Sequence, residues 1–159
     1  MNTIFSYTYE RRIYSDRERL ITTFSLRRDT APDKTPTYCI VRDGSWYVDL
    51  IGDICVDAPE IEEIPAEVAE QVLQVIENHP GLASCPREVS SDGRFDEYEA
   101  TFSFACDSFS VWVNGYHILS QGELESTLPA EERSPCYTVW KAFRDIEAVL
   151  KAHGIEVKK

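Results

Sequence analysis

Between Glu97 and Gln121 apolar and polar side chains alternate almost without a break, in the run EYEATFSFACDSFSVWVNGYHILSQ. A period of two puts successive side chains on opposite sides of an extended chain, whereas a helix would scatter them around its axis. The segment is therefore expected to be β, with one face buried. Taking Asp107-Ser108 and Asn114-Gly115 as two-residue turns predicts a three-stranded meander. Phe102, Phe104, Cys106, Phe109, Val111, Val113, Tyr116 and Ile118 then share the core face. Thr101, Ser103, Ser110, Trp112, Asn114 and His117 line the other.

The same alternation marks the N-terminal third. TIFSYTY (3–9) places Phe5, Tyr7 and Tyr9 together, and RLITTFSLR (19–27) does so for Leu20, Phe24 and Leu26. Two strands with a charged loop between them follow. Residues 28–36, with two prolines, read as a loop. TYCIVRDGSWYVDLI then carries Asp43-Gly44, the pair that suits a type I′ hairpin. That register predicts Cys39, Val41, Trp46 and Val48 on an apolar face, and Tyr38, Ile40, Tyr47 and Asp49 on a mixed one.

Two stretches keep a helical period. In 65–79, Pro65 suits the first helical position, Glu63 and Glu67 suit the positive end of the helix dipole, and Pro80-Gly81 ends the run. Val68, Val72, Val75, Ile76 and His79 face the core. In roughly 136–153 the stripe is Val139, Trp140, Phe143, Ile146, Val149 and Leu150. His153-Gly154-Ile155 reads as a glycine cap followed by a hydrophobic contact. The order ββββ-α-βββ-α predicts a single α+β domain over residues 1–159: a mainly antiparallel sheet of about seven strands, with both helices on one face.

Charge is the second constraint. The net charge is −12, distributed unevenly. Residues 1–42 carry eight basic and five acidic groups, net +3, and residues 133–159 six and three, again net +3. Residues 43–132 hold twenty acids against Arg87 and Arg94, net −18, with no Lys or Arg from 43 to 86. Such a field repels nucleic acid and anionic membrane and attracts basic surfaces. The arginines of 11–28 alternate with Glu10, Asp16, Glu18 and Asp29, which favours local ion pairs over nucleic-acid contact. The N-terminus MNTIFSYTYERR lacks a basic start and an apolar run, and no window reaches membrane-span length. Five cysteines without a CxxC or CxxH pairing fit reduced, partly buried thiols, and the expected location is the cytoplasm.

No phosphate-binding glycine loop, nucleophile elbow, HExxH or EF-hand pattern occurs. His79 and His153 sit at helix ends, where capping is the expected role. Asp49, Asp53, Asp57, Glu60, Glu62 and Glu63 gather carboxylates without the nearby lysine of a metal-dependent nuclease, so a solvated acidic loop is expected, with neither metal nor cofactor, a weak Mg²⁺ or Ca²⁺ site being the alternative. On the predicted helix, Glu63, Glu67, Glu70, Gln74 and Glu77 form one stripe opposite the valines. Glu123, Glu125, Glu131 and Glu132 continue the acidic character further on.

The functional expectation is an inhibitor that imitates a polyanion. It would occupy the basic surface of a nucleic-acid-binding protein or nuclease, in the manner of anti-CRISPR, anti-restriction and nuclease-immunity proteins. The acidic residues named above would make the contact. An alternative is a small enzyme or ligand-binding domain with its site on the mixed sheet face around Tyr38, Tyr47, Trp112 and His117. A structural subunit that oligomerises through its sheet is a third.

Overall fold

The computed structural model describes residues 2–13, 18–48, 52–56, 58–90, 98–116 and 135–157, and among these the side chains at 2–10, 20–45, 58–88, 100–114 and 137–157. Strands β1 (Asn2–Ile13), β2 (Glu18–Asp29) and β3 (Thr37–Val48) form the middle of one sheet. On the free flank of β3 lie β4 (Gly52–Val56) and β5 (Glu60–Ile64), end to end and both antiparallel to it. Beyond β1 come β7 (Tyr98–Ala105) and β8 (Ser110–Tyr116), also antiparallel, and then the short β6 (Glu88–Ser90), parallel to β8. The sheet has six antiparallel positions in the order β4/β5-β3-β2-β1-β7-β8, with β6 at the far edge. Helices α1 (Ala66–Glu77) and α2 (Pro135–Ala152) pack on one face. The fold is α+β, as the alternation and the two helical stretches imply.

Registers set the core. Ile40, Leu26, Phe5, Phe104 and Val111 stand opposite one another across five strands, and Arg42, Phe24, Tyr7, Phe102 and Val113 form the next row but one. Phe143 of α2 lies over both rows, its ring centroid 5.0 Å from Tyr7, 5.4 Å from Phe102 and 6.2 Å from Phe5. Burying such a ring contributes about 1.5–3 kcal/mol. A bulge between Thr3 and Phe5 lets Ile4 and Phe5 both enter the core cluster. At the end of α2, Gly154 has φ 76°, its N–H bonds Lys151 O, and the Ile155 N–H bonds Leu150 O with Ile155 buried. That is the full Schellman pattern expected from His153-Gly154-Ile155.

The hairpin at Asp107-Ser108 stands as read: the Cys106 N–H bonds Phe109 O, and Ala105 faces Ser110. The other two turns do not. Asp43 and Gly44 are ladder positions inside β3, opposite Thr23 and Thr22 of β2. Asn114 and Gly115 lie inside β8, opposite Thr101 and Ala100, and are flanked by β6 on the other side. In both places a neighbouring strand already supplies a full ladder, and pairing overrides local turn preference. The expected third meander strand, with His117 and Ile118, falls outside the described residues. Continuity of β3 also reverses its faces: Tyr38 and Ile40 belong to the helix-covered core, whereas Cys39 and Val41 lie on the opposite side. Pro65 is the N-cap, with extended ψ of 141°, so α1 begins at Ala66 and Glu63 belongs to β5 rather than to the helix.

Candidate interaction surface

Of the acidic residues following β3, those of α1 and β5 are described together with their surroundings. In α1 the buried side is Val68, Ala69, Val72 and Ile76. Glu67, Glu70, Gln74 and Glu77 occupy the outward side and are all exposed. Glu67 is in the first turn, where the helix dipole favours it. Glu77 closes the last turn, where no basic residue answers it and the dipole opposes it by about 0.3–1 kcal/mol. Among the described residues none of these three carboxylates pairs with a cation.

β5 presents Glu60, Glu62 and Glu63, all exposed. Here the chain does supply a cation. Arg42 stands directly opposite Glu60 in the ladder, with Nη1 3.9 Å from Glu60 and 3.6 Å from Glu62. Part of the acidic block is thus answered by the basic N-terminal segment. Glu63 lies opposite Cys39, on the other side of the strand from Arg42. Of the remaining acidic positions singled out in the sequence, Asp49, Asp57, Glu123, Glu125, Glu131 and Glu132 lie outside the described residues, as does the side chain of Asp53.

Of the alternative site, the structure describes Tyr38 and Trp112 and sets these two apart. Tyr38 is buried under the helices, and Trp112 is on the opposite sheet face, 47% exposed, with β2, β1 and β7 between their strands. The side chains of Tyr47 and His117 lie outside the described residues. Trp112 instead has the Arg87 guanidinium 5.8 Å from its ring centroid, a contact that sequence spacing did not signal.

The described histidines bridge elements rather than cap helices. His79 Nε2 and Asp145 Oδ2 are 2.9 Å apart, joining the exit of α1 to α2, and Lys141 Nζ is 3.1 Å from the other Asp145 oxygen. His153 Nε2 meets Gln71 Oε1 at 3.1 Å. Cys39, Cys85 and Cys106 are free, partly buried thiols. Burial pushes the Cys85 thiol up, and its Sγ donates to the Gly81 carbonyl at 3.4 Å, the opposite of an activated nucleophile. No group of three His, Cys, Asp or Glu among the described residues could hold a metal ion. No helix among them is long and apolar enough to cross a membrane.

Compared with known protein families and with curated proteins, the chain matches no family model and no curated protein.

Proposed function

We propose that the protein is an acidic, protein-binding inhibitor that occupies the basic, nucleic-acid-handling surface of a partner. The observation that carries this reading is the outward side of α1. Glu67, Glu70 and Glu77 are exposed together, at an energetic cost to the helix, in a stretch from 43 to 86 without a single Lys or Arg. Glu67 and Glu70, three residues apart, lie about 5–6 Å from each other and repel by about 0.2–0.5 kcal/mol, and Glu77 lies two turns further along the same side. Beyond the dipole term at Glu67, the fold gains nothing internally from that arrangement. A basic cleft does, because Glu67 and Glu70 are spaced much like successive phosphates of a nucleic-acid strand and Glu77 adds a third charge on the same side. Anti-CRISPR, anti-restriction and nuclease-immunity proteins are the functional types that work this way.

The test is competition. A partner purified in complex with this protein should be released steeply by salt, since exposed charges are screened over about 8–10 Å at physiological ionic strength. It should also be displaced by duplex DNA or RNA. A complex indifferent to both salt and nucleic acid refutes the reading.

A further inference from the structure

We propose that the open flank of β5 is a docking edge, and that its occupant is an extended basic segment of the partner protein, added antiparallel to β5 as one more strand. The proposal rests on the reading above for the partner's charge, and on the sheet for the mode of contact.

Among the described residues β5 pairs only with β3, and no described strand lies on its other flank. A strand paired on one side leaves alternate N–H and C=O groups pointing outward, a template for another chain. Sheets usually blunt such an edge with short strands, charged side chains, prolines or bulges, and the length, glutamates and flanking prolines of β5 restrict which chains it admits. β5 has no lysine, and its Ile61 is 68% exposed, the largest exposure among the large hydrophobic side chains described. Pro59 and Pro65 bracket the strand and limit the template to five residues.

Charge decides the occupant. Any antiparallel register that pairs three or more residues of EIEEI with a second copy of itself sets glutamate opposite glutamate. Like charges directly opposite destabilise a sheet pair, so self-association is disfavoured. A strand with basic residues opposite Glu60, Glu62 and Glu63 and a β-branched residue opposite Ile61 meets the same edge favourably. In its own direction that strand reads apolar, basic, basic, apolar, basic. Recognition of this kind takes affinity from main-chain bonds and specificity from alternate side chains.

The probe is the peptide acetyl-VKKVK-amide, compared by isothermal titration with a version N-methylated at the amides facing β5 and with the scramble KKKVV. The expected result is at least tenfold weaker binding for both controls. New amide-exchange protection should fall within residues 60–64, and an Ile61→Lys, Glu63→Lys variant should bind at least tenfold more weakly while melting like the parent. Equal binding of the N-methylated peptide, or protection confined to α1, overturns the proposal. A Glu67→Lys, Glu70→Lys variant separates the two readings, because it removes charge from α1 and leaves β5 intact. Backbone-dependent binding that survives in it upholds the edge, whatever becomes of the polyanion reading. Binding lost in it and unaffected by N-methylation overturns the edge and leaves the charged surface standing.

Discussion

Arg42 donates from Nη2 to the backbone carbonyl of Glu156 at 2.9 Å, tying the edge side of the core to the tail that follows α2. Its guanidinium also lies 5.5 Å from the centroid of the Phe24 ring, beside the run Phe24, Tyr7 and Phe102. The tail it holds places Ile155 and Val157 in the core. Only 15% of the Arg42 side chain is exposed, whereas Glu60 and Glu62 are more than half exposed, so the carbonyl bond and the ring contact outweigh the two ion pairs.

Arg42→Ala is therefore expected to destabilise the fold by about 1.5–3 kcal/mol, the range for a hydrogen bond from a charged group. For a chain of this length each kcal/mol lowers the melting temperature by about 2–4 °C. Arg42→Lys should recover part of the loss, because it keeps the charge and loses the planar fork. Unchanged thermal melting of Arg42→Ala would remove Arg42 as the fastening of the tail.

The Tyr7 phenol supplies a pH dependence. Burial holds it far above the usual tyrosine range, and Tyr9 and Glu147 add in the same direction. In the unfolded chain it ionises near pH 10. Above that pH the unfolded state releases a proton that the native state keeps, so stability falls by about 1.4 kcal/mol per pH unit. Below about pH 10 the group contributes no slope. Tyr7→Phe should flatten the alkaline loss by one proton relative to the parent, read from urea midpoints on either side of pH 10. Identical slopes would contradict the burial of the hydroxyl.

Gly44 gives a test that separates the observed strand from the turn expected at Asp43-Gly44. Among the described residues Gly154 is the glycine with positive φ, so Gly44 sits in backbone that other residues adopt freely. A Cβ there would come no nearer than 3.9 Å to its closest neighbour, the Ile21 carbonyl oxygen, an ordinary contact. Gly44→Ala should stabilise by about 0.4–1 kcal/mol through the unfolded chain. In a type I′ turn the same change would destabilise, and a lowered urea midpoint would favour that turn.

The contrast between β3 and the β7–β8 hairpin shows what the sequence could disclose. Strict alternation places Phe102, Phe104 and Val113 on the core side, and the position of Asp107-Ser108 between two apolar runs marks it as the turn. Asp43-Gly44 and Asn114-Gly115 carry equally strong local turn signals, yet both are held straight by partners far away in sequence. Thr22 and Thr23 pair with the first, and Thr101 and Arg87 bond or pair beside the second. Local chemistry cannot report that a neighbouring strand is long enough to extend the ladder. β5 was hidden for a related reason: Glu60, Glu62 and Glu63 read as a loop because an edge strand needs only one face compatible with its neighbour. The exposed carboxylates of α1 were legible, since their spacing opposite the valines is a local property. The response of Arg42 to Glu60 and Glu62 was not, because it depends on how β3 and β5 register.

Reversing α1 tests the functional proposal without disturbing the core. Glu67, Glu70 and Glu77 are exposed, and the helix buries its other side through Val68, Ala69, Val72 and Ile76. The triple variant Glu67→Lys, Glu70→Lys, Glu77→Lys should melt close to the parent, because exposed substitutions usually change stability by about 0.5 kcal/mol or less. Two opposed terms support that expectation: Lys at 67 loses the favourable dipole position and Lys at 77 gains one. Binding should respond very differently. The variant changes the local charge by six units, and association steered by a summed field slows far more than dissociation quickens. Stopped-flow association with the purified partner should therefore show the loss mainly in the on-rate, and the remaining salt dependence should be shallower than the parent's. An unchanged on-rate in a folded triple variant would show that α1 is not the contact, and would move the search to the acidic positions 123–132.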